Sequence, residues 1–321
     1  MKTVRFFLAL LSACFCASVA AQDYPSRPIR LVVPWPPSGN VDITARAIAP
    51  ALSEILGQQV VVENKAGAAG TIGSAMVAKA APDGYTLLLG SSGTITAGPA
   101  VFKHLAYDPQ KDFTPIGPIQ SVPIVLTAAL KAPFSTYEEF AALARAKPGQ
   151  ISIASAGSGS SNHLVLELLM RQAHIQVLHV PYKGSGPAIT DLLGSQVNGM
   201  MDQLTASIGH IREGRIKALA ISSKKRSPLL PDVRTLDELG VKGYEADTFT
   251  GIFAPAGLKK EIVEKLSGAM KKALAMEGVR ERYKTMGVEI MDMTQPEFAA
   301  YVQTDLEKWR KVAREGNIVI E

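Results

Sequence analysis

Short apolar runs alternate with amphipathic stretches along almost the whole chain. The apolar runs predict strands, whereas apolar residues spaced three or four positions apart predict helices. The predicted strands are Ile29–Val33, Val60–Glu63, Thr86–Gly90, Val122–Ala129, a run beginning at Ile151, Val177–Val180, Gly199–Leu204, Ile216–Ile221 and Gly251–Ala254. The predicted helices are Asp42–Leu56, Thr71–Ala80, Thr136–Ala146 with Ser135 as its cap, one ending near Met170, Pro187–Leu193, a short one ending at Glu213, Glu261–Met276 and Gln295–Glu315. This order is typical of an α/β fold with parallel sheets covered by helices on both faces.

The number of strand-helix units in 321 residues suggests two sheets rather than one. The chain is expected to cross between them near residues 117–122 and again near residues 240–248. The predicted division is therefore a first lobe of residues 22–120 plus 243–321 and a second lobe of residues 121–242.

The first 21 residues have the pattern of a secretory signal peptide. Lys2 and Arg5 are followed by an apolar stretch and then by small residues ending at Ala21. This pattern predicts export to the periplasm. An alternative is that Leu11 to Cys14 forms a lipobox, in which case Cys14 would carry a lipid anchor. Both cysteines, Cys14 and Cys16, lie in this segment, so the exported chain is expected to have neither disulfides nor a thiol nucleophile.

The charge pattern does not indicate nucleic-acid binding. The formal net charge is +5, and removal of Lys2 and Arg5 leaves 32 basic and 29 acidic residues, or +3. The basic residues are spread along the chain, and no run is longer than Lys224 to Arg226. A solvated surface explains this distribution better than a phosphate-binding patch does.

Signals for enzyme chemistry are weak. The sequence contains no G-x-S-x-G, G-x-x-x-x-G-K-[ST] or H-E-x-x-H motif, and its five histidines lack metal-ligand spacing. No catalytic residue, metal ligand or cofactor is therefore predicted. His163 stands beside several serines and is interpreted as a surface or capping residue. Lys183 could be a Schiff-base amine but is interpreted as a residue that supports a turn or attracts an anion.

One strand-to-helix turn combines features that suit an anion. Residues 155–162, SAGSGSSN, follow an apolar run and precede a helical pattern. Free backbone N–H groups at the start of a helix attract negative charge, and glycines let a ligand approach closely. The turn is thus either a cradle for a carboxylate or phosphate or a loop whose serines only cap the helix. The candidate contacts are Ser155, Ala156, Gly157, Ser158, Ser160 and Asn162.

Two further turns share this composition. Residues 33–42, VPWPPSGNVD, provide Trp35, Pro36, Ser38, Gly39 and Asn40, with Asp42 as a possible helix cap. Trp35 either stacks on a ligand or fills the loop. Residues 87–96, LLLGSSGTIT, add Ser91, Ser92 and Thr94. If the three turns converge, they form an anion pocket between two lobes that is rich in neutral donors.

The motifs in these turns resemble a known family. The segments VPWPPSGNVDITARAIA, VVVENKAGAAGTIGSAMVAKAAPDGYTLLLGS, VPYKGSGPAITDLLGSQV and GIFAPAGL together are similar to the Bug family. Members of that family are extracytoplasmic solute receptors of tripartite tricarboxylate transporters. The resemblance extends from about Tyr24 to the C-terminus.

The resemblance implies a type II periplasmic-binding-protein fold, in which two α/β lobes joined by crossing hinge segments close on a small organic acid. It also implies that Tyr182 and Lys183 line the cleft and that Asp202 lies near the distal end of the ligand. Ser38-Gly39-Asn40 departs from a more usual Gly-Gly-Ser/Thr, and Gln203 stands where Asn or Ser is common. The expected partners are a small carboxylate and the membrane subunits of a secondary transporter, and the receptor is expected to be a monomer. The alternative function is a secreted hydrolase or transferase acting on a small acid or ester.

Overall fold

The computed structural model describes residues 24–320. The predicted signal segment, with Cys14 and Cys16, lies outside this range. Among the described residues, no helix is long and apolar enough to cross a membrane.

The described chain forms two sheets. The first has the strand order β11-β4-β10-β3-β1-β2 and the second has the order β7-β6-β8-β5-β9. The strands are β1 Ile29–Val33, β2 Val60–Asn64, β3 Thr86–Ser91, β4 Phe113–Val122, β5 Ile124–Ala129, β6 Ser152–Ser155, β7 Leu178–Pro181, β8 Gly199–Gln203, β9 Ile216–Ile221, β10 Thr248–Pro255 and β11 Glu289–Ile290. The α-helices are α1 Asn40–Leu56, α2 Thr71–Ala78, α3 Ser92–Ile95, α4 Tyr137–Ala146, α5 Ser161–Gln172, α6 Ser185–Leu193, α7 Leu204–Arg212, α8 Lys260–Ala275, α9 Glu277–Thr285 and α10 Gln295–Gly316.

Both sheets are mixed, so the prediction of parallel sheets is wrong. In the first sheet β10 is antiparallel to β3 and β4, and in the second β5 is antiparallel to β8 and β9. A helical crossover returns the chain to the same end of a sheet and makes neighbouring strands parallel. β5 and β10 instead follow a strand of the other sheet with no helix between, and each runs antiparallel to its neighbours.

The chain changes sheets at two places. β4 of the first sheet ends at Val122 and β5 of the second begins at Ile124, whereas the return lies between β9 and β10. Both places adjoin the predicted crossing segments. The predicted lobe boundaries remain a prediction.

Most of β4, whose sequence is FTPIGPIQSV, lies outside the predicted strands. Pro115 and Pro118 look like strand breakers because proline cannot donate to a ladder. The pairing of β4 with β10 has irregularities at both prolines, which accommodate them. Helix α4 is capped by Thr136 rather than by Ser135, since the Thr136 side chain accepts a hydrogen bond from the backbone N–H of Glu139.

Helix α10 connects the cores of the two sheets. Near its start, Phe298 and Val302 pack in an apolar cluster with β1, β3 and β10 of the first sheet. Near its end, Trp309 and Ala313 pack in a cluster with β5, β6 and β8 of the second sheet. The two sheets therefore have separate cores that share one helix.

Candidate functional site

Five helices, α1, α3, α5, α6 and α7, begin around one cavity between the two sheets. The residues that line it are Trp35, Pro36, Gly39, Asn40, Val41, Ser91, Ala156, Ser160, Ser161, Asn162, Gly184, Ser185 and Gln203. They include the first residues of α1, α5 and α6 and the residues before α3 and α7. The first N–H groups of a helix lack intrahelical partners and carry the positive end of its dipole. The cavity therefore attracts an anion, although its lining contains no lysine, arginine or histidine.

The walls come from strand ends in both sheets. Residues 35–41 follow β1 and Ser91 is the last residue of β3, while residues 156–162, 184–185 and Gln203 lie at the ends of β6, β7 and β8. Open α/β sheets bind ligands at the carboxyl ends of their strands. The enclosed volume is about 30 Å³, which is closer to one water molecule than to an organic acid. In this conformation the cavity is therefore too small to hold an organic acid.

The three predicted turns meet at this cavity, but only some of the candidate residues reach its wall. Those that line it are Trp35, Pro36, Gly39, Asn40, Ser91, Ala156, Ser160 and Asn162. Those that are not among the lining residues are Ser38, Asp42, Ser92, Thr94, Ser155, Gly157, Ser158, Tyr182, Lys183 and Asp202. The wall residues that the candidate set omitted are Val41, Ser161, Gly184, Ser185 and Gln203.

Asp42 braces the turn before α1 from behind the wall. Its carboxylate accepts hydrogen bonds from the Ser38 backbone N–H at 3.0 Å, from Asn64 Nδ2 at 2.9 Å and from Arg46 Nε at 3.0 Å. Burial alone would raise the pKa of Asp42, but these hydrogen bonds and the Arg46 charge hold it below its ordinary value. The cap position itself is Gly39, so Asp42 fixes the turn from inside the first helical turn.

Ser92 and Thr94 likewise hold the turn after β3. The Ser91 side chain and the Thr94 side chain each accept a hydrogen bond from the other's backbone N–H, which forms a capping box. Ser92 Oγ accepts a hydrogen bond of 2.9 Å from the Phe249 backbone N–H on β10. The turn is thereby tied to the neighbouring strand, with Ser91 at the cavity.

The backbone N–H groups of two glycines in this turn, the candidate Gly157 and also Gly159, are engaged elsewhere. The Gly157 N–H donates to Ser155 Oγ at 3.1 Å, and the Gly159 N–H donates to His163 Nδ1 at 3.2 Å. No hydrogen bond from the Ser161 or Asn162 backbone N–H is found within residues 24–320. The donors that this turn can offer therefore come from the start of α5.

Of the two interpretations of His163, a surface or a capping residue, the first is wrong because His163 is buried, while its Nδ1 accepts a hydrogen bond from the Gly159 N–H in the loop before α5. Its ring stacks on that of His179 with centroids 4.0 Å apart, and its Nε2 lies 3.2 Å from Glu167 Oε1. Burial, followed by the proximity of His163, lowers the pKa of His179 to about 4. Neutral His179 shares a hydrogen bond of 2.6 Å with Ser155 Oγ.

This serine-histidine pair does not form a hydrolase site. Ser155 is fully buried and is not part of the cavity wall. The neighbouring carboxylate, Glu167, contacts His163 rather than the histidine that bonds the serine. A nucleophile requires access to substrate and a base oriented by a third group. The pair instead helps to hold the loop between β6 and α5 in its conformation, because Ser155 Oγ also accepts a hydrogen bond from the Gly157 N–H.

Asp202 lies directly behind the wall and is fully buried. It accepts hydrogen bonds from Ser185 Oγ at 2.7 Å, Asn162 Nδ2 at 3.0 Å and Ser207 Oγ at 3.2 Å, and also from the Gln203 backbone. Burial raises the pKa of Asp202 to about 6, although each of these hydrogen bonds opposes the rise. Its oxygens are occupied by protein donors, so Asp202 organises the wall rather than facing a ligand.

Lys183 and Tyr182 lie away from the wall. Lys183 is exposed, and the Tyr182 hydroxyl donates to Asp191 Oδ2 at 2.7 Å. The wall position in this segment belongs instead to Gly184 and Ser185, at the start of α6.

Trp35 fills the loop and also lines the cavity. A side chain at Gly93 would lie 3.2 Å from Trp35 Cζ2, and one at Gly70 would lie 3.2 Å from Trp35 Cε2. The indole is therefore wedged against two glycines. Its Nε1 is buried without a hydrogen-bond partner in the described chain. Indole nitrogen can only donate.

Metal binding has no support in residues 24–320, which contain no cluster of three or more histidine, cysteine, aspartate or glutamate side chains that could hold an ion.

Comparisons with known proteins agree with this geometry. Residues 44–318 match the family model described as tripartite tricarboxylate transporter family receptor. The protein BugT of Bordetella pertussis is 36% identical over 316 residues, which cover 98% of this chain and 96% of BugT. The solved structure of periplasmic binding protein BugD is 38% identical, with a TM-score of 0.89 over 93% of this chain and all of the other.

Two similar structures contain organic acids. The protein MatC of Rhodopseudomonas palustris, solved with bound malate, is 37% identical with a TM-score of 0.86 over 90% of this chain and 99% of MatC. An R. palustris protein solved with adipate is 33% identical with a TM-score of 0.89 over 92% of this chain and 99% of its own. These likenesses confirm the predicted two-lobe α/β periplasmic-binding-protein fold and the predicted resemblance.

Proposed function

This chain belongs to the tripartite tricarboxylate transporter receptor family, and from that membership we propose that it is a solute-binding receptor. It captures a small organic carboxylate in the periplasm and delivers it to the membrane subunits of a secondary transporter. Relatives solved with malate and adipate support this class of ligand.

The observation that carries the proposal is the convergence of helix N-termini on a cavity without cationic side chains. Backbone N–H groups and hydroxyls stabilise a carboxylate, and closure strengthens each hydrogen bond by excluding water. A neutral site also allows release, because micromolar affinity corresponds to only about −8 kcal/mol. A bidentate arginine would hold the anion more firmly.

Binding proceeds by closure of a first lobe of residues 22–120 plus 243–321 on a second lobe of residues 121–242. Separate cores, two crossing segments and a cavity between the sheets support this division. Direct contacts come from the candidate residues at the wall: Trp35, Pro36, Gly39, Asn40, Ser91, Ala156, Ser160 and Asn162. Four other candidates, Asp42, Ser92, Thr94 and Asp202, hold these residues in place through hydrogen bonds.

The receptor performs no chemistry on its ligand and acts as a monomer after removal of residues 1–21. The engaged, buried Ser155 hydroxyl argues against the hydrolase alternative. The mass of the exported protein distinguishes cleavage after Ala20 or Ala21 from lipidation at Cys14.

Thermal-shift screening of the exported protein against an organic-acid library tests the function, because a specific ligand raises the melting temperature. We expect mono- or dicarboxylates to raise it and the matched amides and methyl esters to leave it unchanged. If no acid raises the melting temperature, or if esters are turned over, the receptor proposal is wrong.

A further inference from the structure

The buried Asp202 carboxylate determines which atoms the second-sheet wall offers to a ligand. An ionised carboxylate only accepts hydrogen bonds. Every side chain that bonds Asp202 must therefore turn a donor towards it. Two of these side chains, Asn162 and Ser185, also line the cavity.

The amide of Asn162 has only one possible orientation. Its Nδ2 donates to the Met201 carbonyl and to Asp202 Oδ1, each at 3.0 Å. Both partners are acceptors only, so a reversed amide would leave two acceptors facing its oxygen. Both Nδ2 hydrogens are thus used behind the wall. The group left for a ligand is Oδ1, whose one other contact is the Ser161 hydroxyl at a long 3.5 Å.

Ser185 is constrained in the same way. Its hydroxyl donates to Asp202 Oδ1 at 2.7 Å, so only its lone pairs can face the cavity. The second-sheet wall therefore presents two side-chain acceptors, Asn162 Oδ1 and Ser185 Oγ.

We propose that the preferred ligand is a carboxylate that also carries a hydrogen-bond donor, a hydroxyl or an ammonium group, which donates to Asn162 and Ser185. This inference rests on the receptor function proposed above and specifies its ligand class. Helix N-termini bind the carboxylate, while the donor satisfies the two acceptors. An acid without a donor leaves both acceptors unpaired when the cavity closes, and such a mismatch is costly.

Calorimetry on the exported protein with matched acids tests this inference. The pairs are succinate with malate, glutarate with 2-hydroxyglutarate, and propionate with lactate. Aspartate, glutamate and alanine carry an ammonium group in place of the hydroxyl. Comparing them with malate, 2-hydroxyglutarate and lactate distinguishes the two kinds of donor. For the chain length that binds best, we expect a donor-bearing acid to bind at least about tenfold more tightly than the plain acid.

Three variants test whether the preference for donor-bearing acids comes from the second-sheet wall. Asn162→Ala and Ser185→Ala each remove one acceptor, and we expect each to shrink the preference by about threefold or more. Ser207→Ala is the control, since Ser207 bonds Asp202 without lining the cavity, and it should keep the preference. If Asn162→Ala fails to fold, Ser185→Ala carries the test alone.

Equal binding of plain and donor-bearing acids would overturn the inference and leave the receptor function intact. A preference that survives Ser185→Ala unchanged would overturn the assignment to this wall. If no acid binds at all, the receptor function itself fails and the inference fails with it.

Discussion

Asn40 at the start of α1 and Gln120 on β4 are joined by a hydrogen bond of 2.9 Å across eighty positions of sequence. Both side chains are buried, and Asn40 lines the cavity. Gln120 lies three residues before Pro123, where the chain leaves the first sheet. The part of the cavity wall that Asn40 forms is thus held in place by Gln120, which lies next to the point where the chain leaves the first sheet.

Replacing Gln120 by Leu should lower the free energy of unfolding by about 1 kcal/mol, because one buried hydrogen bond is lost and Asn40 keeps an unpaired oxygen. Ligand affinity should fall as well, since the Asn40 amide is no longer held. Denaturant titration and calorimetry measure the two effects. Gln110→Leu is the control, because Gln110 bonds Gln303 on the exposed surface. Equal effects of the two variants would contradict the prediction.

Replacing Arg46 by Met should lower the free energy of unfolding by about 1–3 kcal/mol, because the buried Asp42 carboxylate loses its cationic partner. Arg27→Met breaks the exposed pair with Asp83 and should change the free energy by less than about 0.5 kcal/mol. Denaturant titration at pH 7 compares the two variants, and a larger loss for Arg27→Met would refute the assignment.

Replacing Gly159 by Ala should destabilise the protein more than replacing Gly149 by Ala. Both glycines have positive φ, 80° and 71°, so each variant incurs about 1 kcal/mol of backbone strain. A Cβ at Gly159 would also lie 2.3 Å from the Phe102 ring, whereas nothing lies within 4 Å of one at Gly149. This clash should add about 1–3 kcal/mol. Similar losses in both variants, measured by thermal unfolding, would contradict the predicted clash.

His179 should make stability dependent on pH in a defined window. Its folded pKa of about 4 lies below its ordinary value of 6.5. The unfolded chain therefore binds more protons between these values, and the contribution of His179 is full above pH 6.5 and lost as pH falls towards 4. The stability difference between the wild type and His179→Gln should change across that window. The control is His104→Gln, at an exposed position, and a difference that stays constant with pH for His179→Gln would refute the prediction.

The carboxyl group of Asp202 should make stability depend on pH in the opposite direction. Its folded pKa of about 6 lies above its ordinary value of 3.8, so the folded chain binds more protons in between. Stability is therefore lost as pH rises from 3.8 to 6, by an amount on the order of 2–3 kcal/mol. Asp202→Asn should remove this loss, whereas Asp83→Asn on the surface should not. Unfolding free energies at pH 4, 5, 6 and 7 test the slope.

Features set by neighbouring residues were predictable from the sequence. The turns at residues 33–42, 87–96 and 151–162 each combine a strand, small polar residues and a helix, and all three contribute to the cavity wall. The pairing of Arg46 with Asp42 follows from their spacing of four on one helix.

Features set by distant contacts were not predictable. His163 is buried because His179, on a strand sixteen positions later, stacks on it. The burial of Asp202 depends on donors from α5, α6 and α7, which follow three different strands. Strand direction in β5 and β10 depends on where the chain enters each sheet, which local hydrophobic patterns do not record.

In the proposed movement of the two lobes, helix α10 is expected to resist opening because its two ends are anchored in different cores. Phe298 is fully buried in one core and Trp309 in the other, and eleven positions of continuous helix separate them. Such a rod spans roughly 16 Å and cannot stretch. We therefore expect α10 to bend, or one of these two aromatic residues to repack, when the proposed lobes move apart to admit a ligand.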